Sequence, residues 1–267
     1  MPTYLSPGIY TRETDFSFYV KQISTSSAAM VGVAEKGPIN KPVLVTSWEQ
    51  FINRFGSYIN ESYLAYAARA FFDNGGSVLY VTRIAHLTDP TDRDTLTALK
   101  SSIVLQNREA TPADTLRIEA VNEGVWGDRL SVSIEDGSLD PANHFNLVVR
   151  HKGDVVEVFK DLSMDETLPN HVELTINDRS DFILVQDLAA ASGTPGDRPA
   201  LGVFTLGGGD NGLTDLADAD FIGDPSQHTG LYGFDEIDAL NLLMVPGVTT
   251  VPVINAGIAY AEGRKDL

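Results

Sequence analysis

A chain of 267 residues with 43% hydrophobic side chains is long enough for one large or two ordinary domains around a sizeable core. It has no cysteine, which excludes a disulfide framework and thiolate chemistry and fits a reducing compartment. A formal net charge of −18 repels phosphate backbones and argues against direct nucleic-acid binding. The charge is unevenly placed. Residues 1–90 balance at 7 Lys/Arg and 7 Asp/Glu, residues 91–205 carry 10 against 20, and residues 206–267 carry 2 against 10. This excess reads as solvated surface in preference to an acidic patch for a basic partner. No basic, apolar, small-residue leader opens the sequence, so a cleaved secretion signal is not expected.

The first element in chain order is "LSPGIYTRETD", residues 5–15. In an extended chain Ile9, Thr11 and Glu13 fall on one face and Tyr10, Arg12 and Thr14 on the other. Pro7 and Gly8 punctuate its start, so the segment begins after a turn or a loose arm. Three fates remain open for it: an edge strand on its own domain, a disordered leader, or a strand donated to another subunit.

Two short apolar runs follow, residues 28–34 and "KPVLVTS", both read as central strands. "TSWEQFINRFG" spaces Trp48, Phe51, Ile52 and Phe55 as one helical face, with Thr46 or Ser47 as N-cap and Gly56 as the stop. "ESYLAYAARAFFDNGG" repeats the plan with Leu64, Ala67, Ala68, Phe71 and Phe72, ended by Gly75 and Gly76, before the buried strand "SVLYVTRI". The order describes a compact α/β unit.

From about residue 91 the texture changes to short alternating runs separated by polar turns: "TLRIEAV", "RLSVSIED", "FNLVVRHKG", "DVVEVFKDL", "HVELTI" and "DFILVQDL". "KGD" at residues 152–154 reads as a hairpin turn. Helical and buried-strand signals resume after "TLGGGDNGL", with a strand over residues 240–245 and a final helix in "VPVINAGIAYAEGRKDL". Such a strand and helix would feed a further parallel strand, and none follows. The expected fold is mixed α+β. An N-terminal arm and linker (1–22) precede a discontinuous α/β domain (23–90 plus 206–267), into which a mostly-β domain (91–205) is inserted. The stretch between Asp238 and Glu262 holds no charged side chain, but Pro246, Gly247, Pro252 and Gly257 divide it, which argues against a membrane span.

Candidate chemistry is sparse. "GGGDNG" at residues 207–212 has the glycines of a phosphate cradle but not the Lys-Ser/Thr of a P-loop, and Asp210 stands where a phosphate would sit; a turn between domains is the simpler reading. Asp215, Asp218, Asp220 and Asp224 lack the glycine and closing Glu of a calcium loop. His86, His144, His151, His171 and His228 show no zinc spacing, and "GVWGDRL" reads as a tight turn with Trp126 packed beneath a β domain. No set of nucleophile, base and oxyanion donor assembles, so no catalytic, metal or cofactor site is expected. The rival to a structural role is a soluble α/β ligand-binding module or enzyme that uses the 207–224 loop.

Six stretches in order carry a resemblance: "YLSPGIYTRETD", "SAAMVGVAEKGPINKPVLVTSWEQFINRFG", "SYLAYAARAFFDNGGSVLYVTRI", "NEGVWGDRLSV", "LGGGDNGL" and "GLYGFDEIDALNLLMVPG". Together the sequence resembles the tail sheath proteins of contractile bacteriophage tails and related contractile injection systems. The resemblance implies a structural subunit rather than an enzyme, without cofactors, that stacks as hexameric rings around a tail tube and contracts. Its implied partners are neighbouring sheath subunits, the tube protein, and baseplate and tail terminator proteins, with no direct nucleic-acid contact and no membrane insertion. The implied location is the phage tail of the virion, assembled in the host cytoplasm. Tyr4, Leu5, Ser6, Pro7, Gly8, Ile9, Tyr10, Thr11, Arg12, Glu13, Thr14 and Asp15 would form the subunit-interaction arm, completing a neighbour's sheet. Family members continue past the point matching Asp266 into a C-terminal domain, which this sequence would lack.

Overall fold

A computed structural model describes residues 27–189, 197–238 and 240–264. The arm residues, Tyr4 to Asp15, lie outside the described residues.

The strand β1 (Ser27–Gly32) is the middle of a four-stranded sheet with β2 (Val43–Val45), β3 (Val78–Arg83) and β11 (Leu242–Met244), in the order β11-β1-β3-β2. β1 runs parallel to both neighbours. Its alternation explains its apolar run. Ala28 and Met30 pack with Phe51 and Phe55 of α1 (Trp48–Phe55) and Leu64 of α2 (Leu64–Asp73), while Ala29 and Val31 pack with Leu231, Phe234 and Tyr260 on the opposite face. A strand covered on both faces has no polar side, which is why the sequence shows none.

Local signals set the helix ends. The Ser47 side chain accepts the amide of Gln50 at 3.2 Å, and Gly56 takes φ +82 at the other end. Phe51 and Phe55 are buried, and each contributes about 1.5–3 kcal/mol relative to exposure. β2 departs from expectation: it is an edge strand, antiparallel to β3, with Leu44 half exposed. Three residues beside the sheet's last partner cannot be covered on both sides.

The intervening segment folds as two antiparallel sheets. One is β10-β6-β7-β8, from β6 (Leu130–Asp136), β7 (Phe145–His151), β8 (Asp154–Leu162) and β10 (Gly202–Thr205); the other is β4-β5-β9, from β4 (Ser102–Gln106), β5 (Asp114–Ala120) and β9 (Ile183–Asp187). Leu116, Ile118, Val132, Ile134, Leu147 and Val149 meet between them, with Trp126 under the same core. The β7–β8 hairpin turns at Lys152 and Gly153, at φ +55 and +94, the left-handed pair that two-residue hairpins favour.

"HVELTI" is a correction. It forms α3 (Val172–Asn177), not a strand. Val172 and Ile176, four apart, are buried while Leu174 is exposed, a helical face that alternation in the sequence imitates. The Asn177 side chain also binds Val185, accepting its amide and donating to its carbonyl, which fastens the helix to β9.

At the far end, α4 (Asp218–Ile222) and α5 (Val251–Arg264) follow the Gly-rich loop and flank β11. β11 is shorter than the expected strand and lies at the sheet edge rather than inside it.

Candidate functional site

The 207–224 loop is where a ligand-binding reading would have to stand. Four of the six amides over residues 207–212 are already committed: Gly207 and Asp210 exchange hydrogen bonds with Ser102 and Leu99, Gly209 donates to the Asp128 carboxylate at 2.9 Å, and Gly212 donates to Asp210 at 2.7 Å. A phosphate cradle needs free, converging amides. This loop instead fastens the two halves of the chain. The glycine is needed for close approach, because a Cβ on Gly209 would lie 2.5 Å from the Gly124 carbonyl.

Asp220 is similarly occupied. It is buried, accepts from the amides of Leu87 and Ala217 at 2.9 Å each, and lies 3.0 Å from His86 Nδ1. Asp224 closes a turn through Ser226 and Gln227, bonds that hold its carboxyl below the usual range. Among the described residues no three His, Asp or Glu side chains gather to hold a metal, and no helix is long and apolar enough to cross a membrane. The histidines stay apart: His171 pairs with Asp187 at 3.1 Å inside the β-rich part, and His144 lies in the loop before β7.

The seam between the α/β sheet and the β-rich part is the most elaborate polar region. Arg83 is fully buried, and burial pushes its pKa down to about 10. Beside it Asp128 accepts from Ser101 at 2.7 Å, and Arg129 meets Glu35 at 2.9 Å. Lys36 lies 5.6 Å from the Trp126 ring and 5.5 Å from the Phe182 ring, with burial lowering its pKa. A groove of about 720 Å³ opens here. The sequence singled out Trp126 but not Lys36 or Arg83; a lone basic residue in an apolar strand, as in "VLYVTRI", was the available signal for the latter.

Uncovered surfaces stand out near the C-terminal part of the described residues. The outer edge of β11 is free within the described residues, and α5 shows Val251, Ile254 and Ile258 at 68%, 47% and 55% exposure while burying Val253 and Tyr260. An α-helix apolar on both sides is ordinarily buried on both.

Residues 25–84 match the family described as tail sheath protein Gp18 domain III, N-terminal region. Over these residues the chain is similar to part of a tail sheath domain. The matched residues include the three strands β1, β2 and β3 with α1 and α2 between them. Two solved tail sheath structures share the fold. The sheath tail protein of Listeria innocua superposes at TM-score 0.60 with 12% identity, over 90% of this chain and 45% of that one. That of Desulfitobacterium hafniense gives 0.53 and 13%, over 97% and 50%. This chain thus spans about half the length of the tail sheath structures it matches. No curated protein gives a significant match.

Proposed function

We propose that the chain is a structural subunit of a contractile tail sheath. The single observation that carries this reading is the tail sheath match over residues 25–84, which spans the β1–β3 unit of the central sheet. In this reading subunits polymerise as stacked hexameric rings around a tail tube, bounded by baseplate and tail terminator proteins, and contract to drive the tube through a target envelope. The chain has no catalytic role and belongs to the phage tail of the virion, assembled in the host cytoplasm.

Residues 4–15 act as the arm that completes a neighbouring subunit's sheet. Main-chain hydrogen bonds of this kind are insensitive to side-chain identity, so they tie subunits together while globular faces exchange weaker contacts. Residues 23–90 with 206–267 form the body, and residues 91–205 form an inserted, acidic domain that projects outward. The extended sheath is a kinetically trapped state, and contraction gains a few kcal/mol per subunit, multiplied over many copies. The open β11 edge and the outer row of α5 are where the body meets further protein.

Electron microscopy tests the arm. Removing residues 2–15 leaves folded subunits that no longer build tubes; tubes formed without the arm would overturn its assignment. Against the rival ligand-binding reading stands the 207–224 loop, where the amides of Gly207, Gly209, Asp210 and Gly212 are already bonded within the chain.

A further inference from the structure

We propose that the loop joining β6 to β7 is a rigid knob that seats in the seam groove of a second copy of the chain, head to tail. The proposal rests on the self-assembling reading above and names one of its contacts.

Leu139, on that loop, is 86% exposed. A single exposed leucine is ordinary on a surface. This one is held in place. The Asp161 carboxylate accepts from the backbone amides of Ser138 and Leu139 at 2.6 and 2.8 Å. Asn146 donates to the carbonyl of Asp136 and to Ser138, while Asp140 accepts from Ala142 and Asn143. An apolar side chain on a loop already ordered in the free protein binds without the entropic cost of ordering it.

The groove suits such a knob. Phe182 supplies an aromatic wall with Trp126 buried behind it, and Lys36, Asn53, Arg54 and Asp181 supply the rim of a hollow of about 720 Å³. Lys36 forms no ion pair among the described residues, Arg54 stands 3.9 Å from Asp181 with both exposed, and the charges of Glu35, Asp181, Arg54 and Lys152 all reach Lys36. Trp126 Nε1 is buried without a hydrogen-bond partner among the described residues. The knob brings the opposite charge. Asp136, Asp140 and Asp161 lie on or against this loop, with Arg108 paired to Asp136 and Arg198 reaching both Asp136 and Asp140. On a chain of net charge −18, a hollow where Lys36, Arg54 and Lys152 stand against Glu35 and Asp181 is a place where an acidic loop is attracted rather than repelled.

Position makes the contact intermolecular. Leu130 pairs with His151 at the seam end of the hairpin, and Asp136 pairs with Phe145 at the loop end. Six steps of strand separate these ends, about 20 Å. No molecule fills its own groove, and a knob meeting a different surface on the next copy generates rings or helices rather than a closed pair.

The absence of cysteine gives a clean test. Protein carrying Leu139→Cys is mixed with protein carrying Asn53→Cys, and separately Asn122→Cys on the same groove, under oxidising conditions. A mixed disulfide dimer is expected in preference to either homodimer. Leu139→Ser, with unchanged circular dichroism, is expected to raise the concentration needed for association at least about tenfold. Assembled particles that yield no mixed cross-link at either position, or that ignore Leu139→Ser, overturn this contact and leave the sheath reading standing. Absence of any association of the unsubstituted protein overturns both.

Discussion

The guanidinium of Arg83 donates to the backbone carbonyl of Glu123 at 2.8 Å, and the same nitrogen donates to the carbonyl of Gly37 at 2.8 Å. One buried side chain at the end of β3 thereby joins the loop after β1 to the turn that opens the β-rich part. Replacing it by Met removes both donors and strands two carbonyls. Arg83→Met is expected to cost about 2–4 kcal/mol in urea unfolding, with no aggregation of the native state. A variant as stable as the parent would show that the seam is held elsewhere.

Close approach at the Gly-rich loop sorts its glycines. Gly209 has Ser101 and Gly124 within a Cβ's reach, whereas nothing lies within 4 Å of a Cβ on Gly207. Gly209→Ala should destabilise by about 1–3 kcal/mol and Gly207→Ala by well under 1 kcal/mol. Equal effects in thermal unfolding would contradict the packing described here.

His151 supplies a pH dependence. Burial, followed by the positive charges of Lys152 and Lys36, holds its pKa below the ordinary imidazole value of 6.5. The unfolded chain takes the proton more readily than the folded one, so this contribution is full above the unfolded pKa and is lost as pH falls through the folded value. The melting temperature should decline as pH falls below about 6.5, and the decline should be shallower in His151→Gln. An identical slope in that variant would remove His151 as its source.

The two sides of α5 should respond oppositely. Ile254→Lys with Ile258→Lys is expected to change stability by less than about 0.5 kcal/mol while reducing association at high concentration. Val253→Asp puts a charge against the core and should unfold the C-terminal part, seen as lost hydrogen-exchange protection at residues 230–264. Loss of stability in the double lysine variant would mean that its row is already covered within the chain.

Much of the architecture was legible because local chemistry and burial agree. Ser47 and Gly56 bracket α1 in the sequence as they do in the fold, and the Lys152-Gly153 turn needed only its residue types. Some elements misled for physical reasons. Val172, Leu174 and Ile176 satisfy both a period of two and a helical pair, and the contact of Asn177 with Val185 decides between them. "VLV" is apolar enough for a central strand, yet its place in the sheet order leaves Leu44 facing outward. The seam was illegible for a different reason: Lys36, Trp126 and Phe182 are far apart in sequence and meet only when the two parts of the chain pack.

By itself the sequence determined composition class, the absence of thiol chemistry, the ends of its best-capped helices and the alternation of its strands, since each depends on residues close together in the chain. Tertiary structure decided which strand lies at an edge, which amides of a Gly-rich loop are free, and where a basic side chain is enclosed by aromatic rings. Those outcomes depend on contacts between distant segments, whose free energies no local pattern encodes.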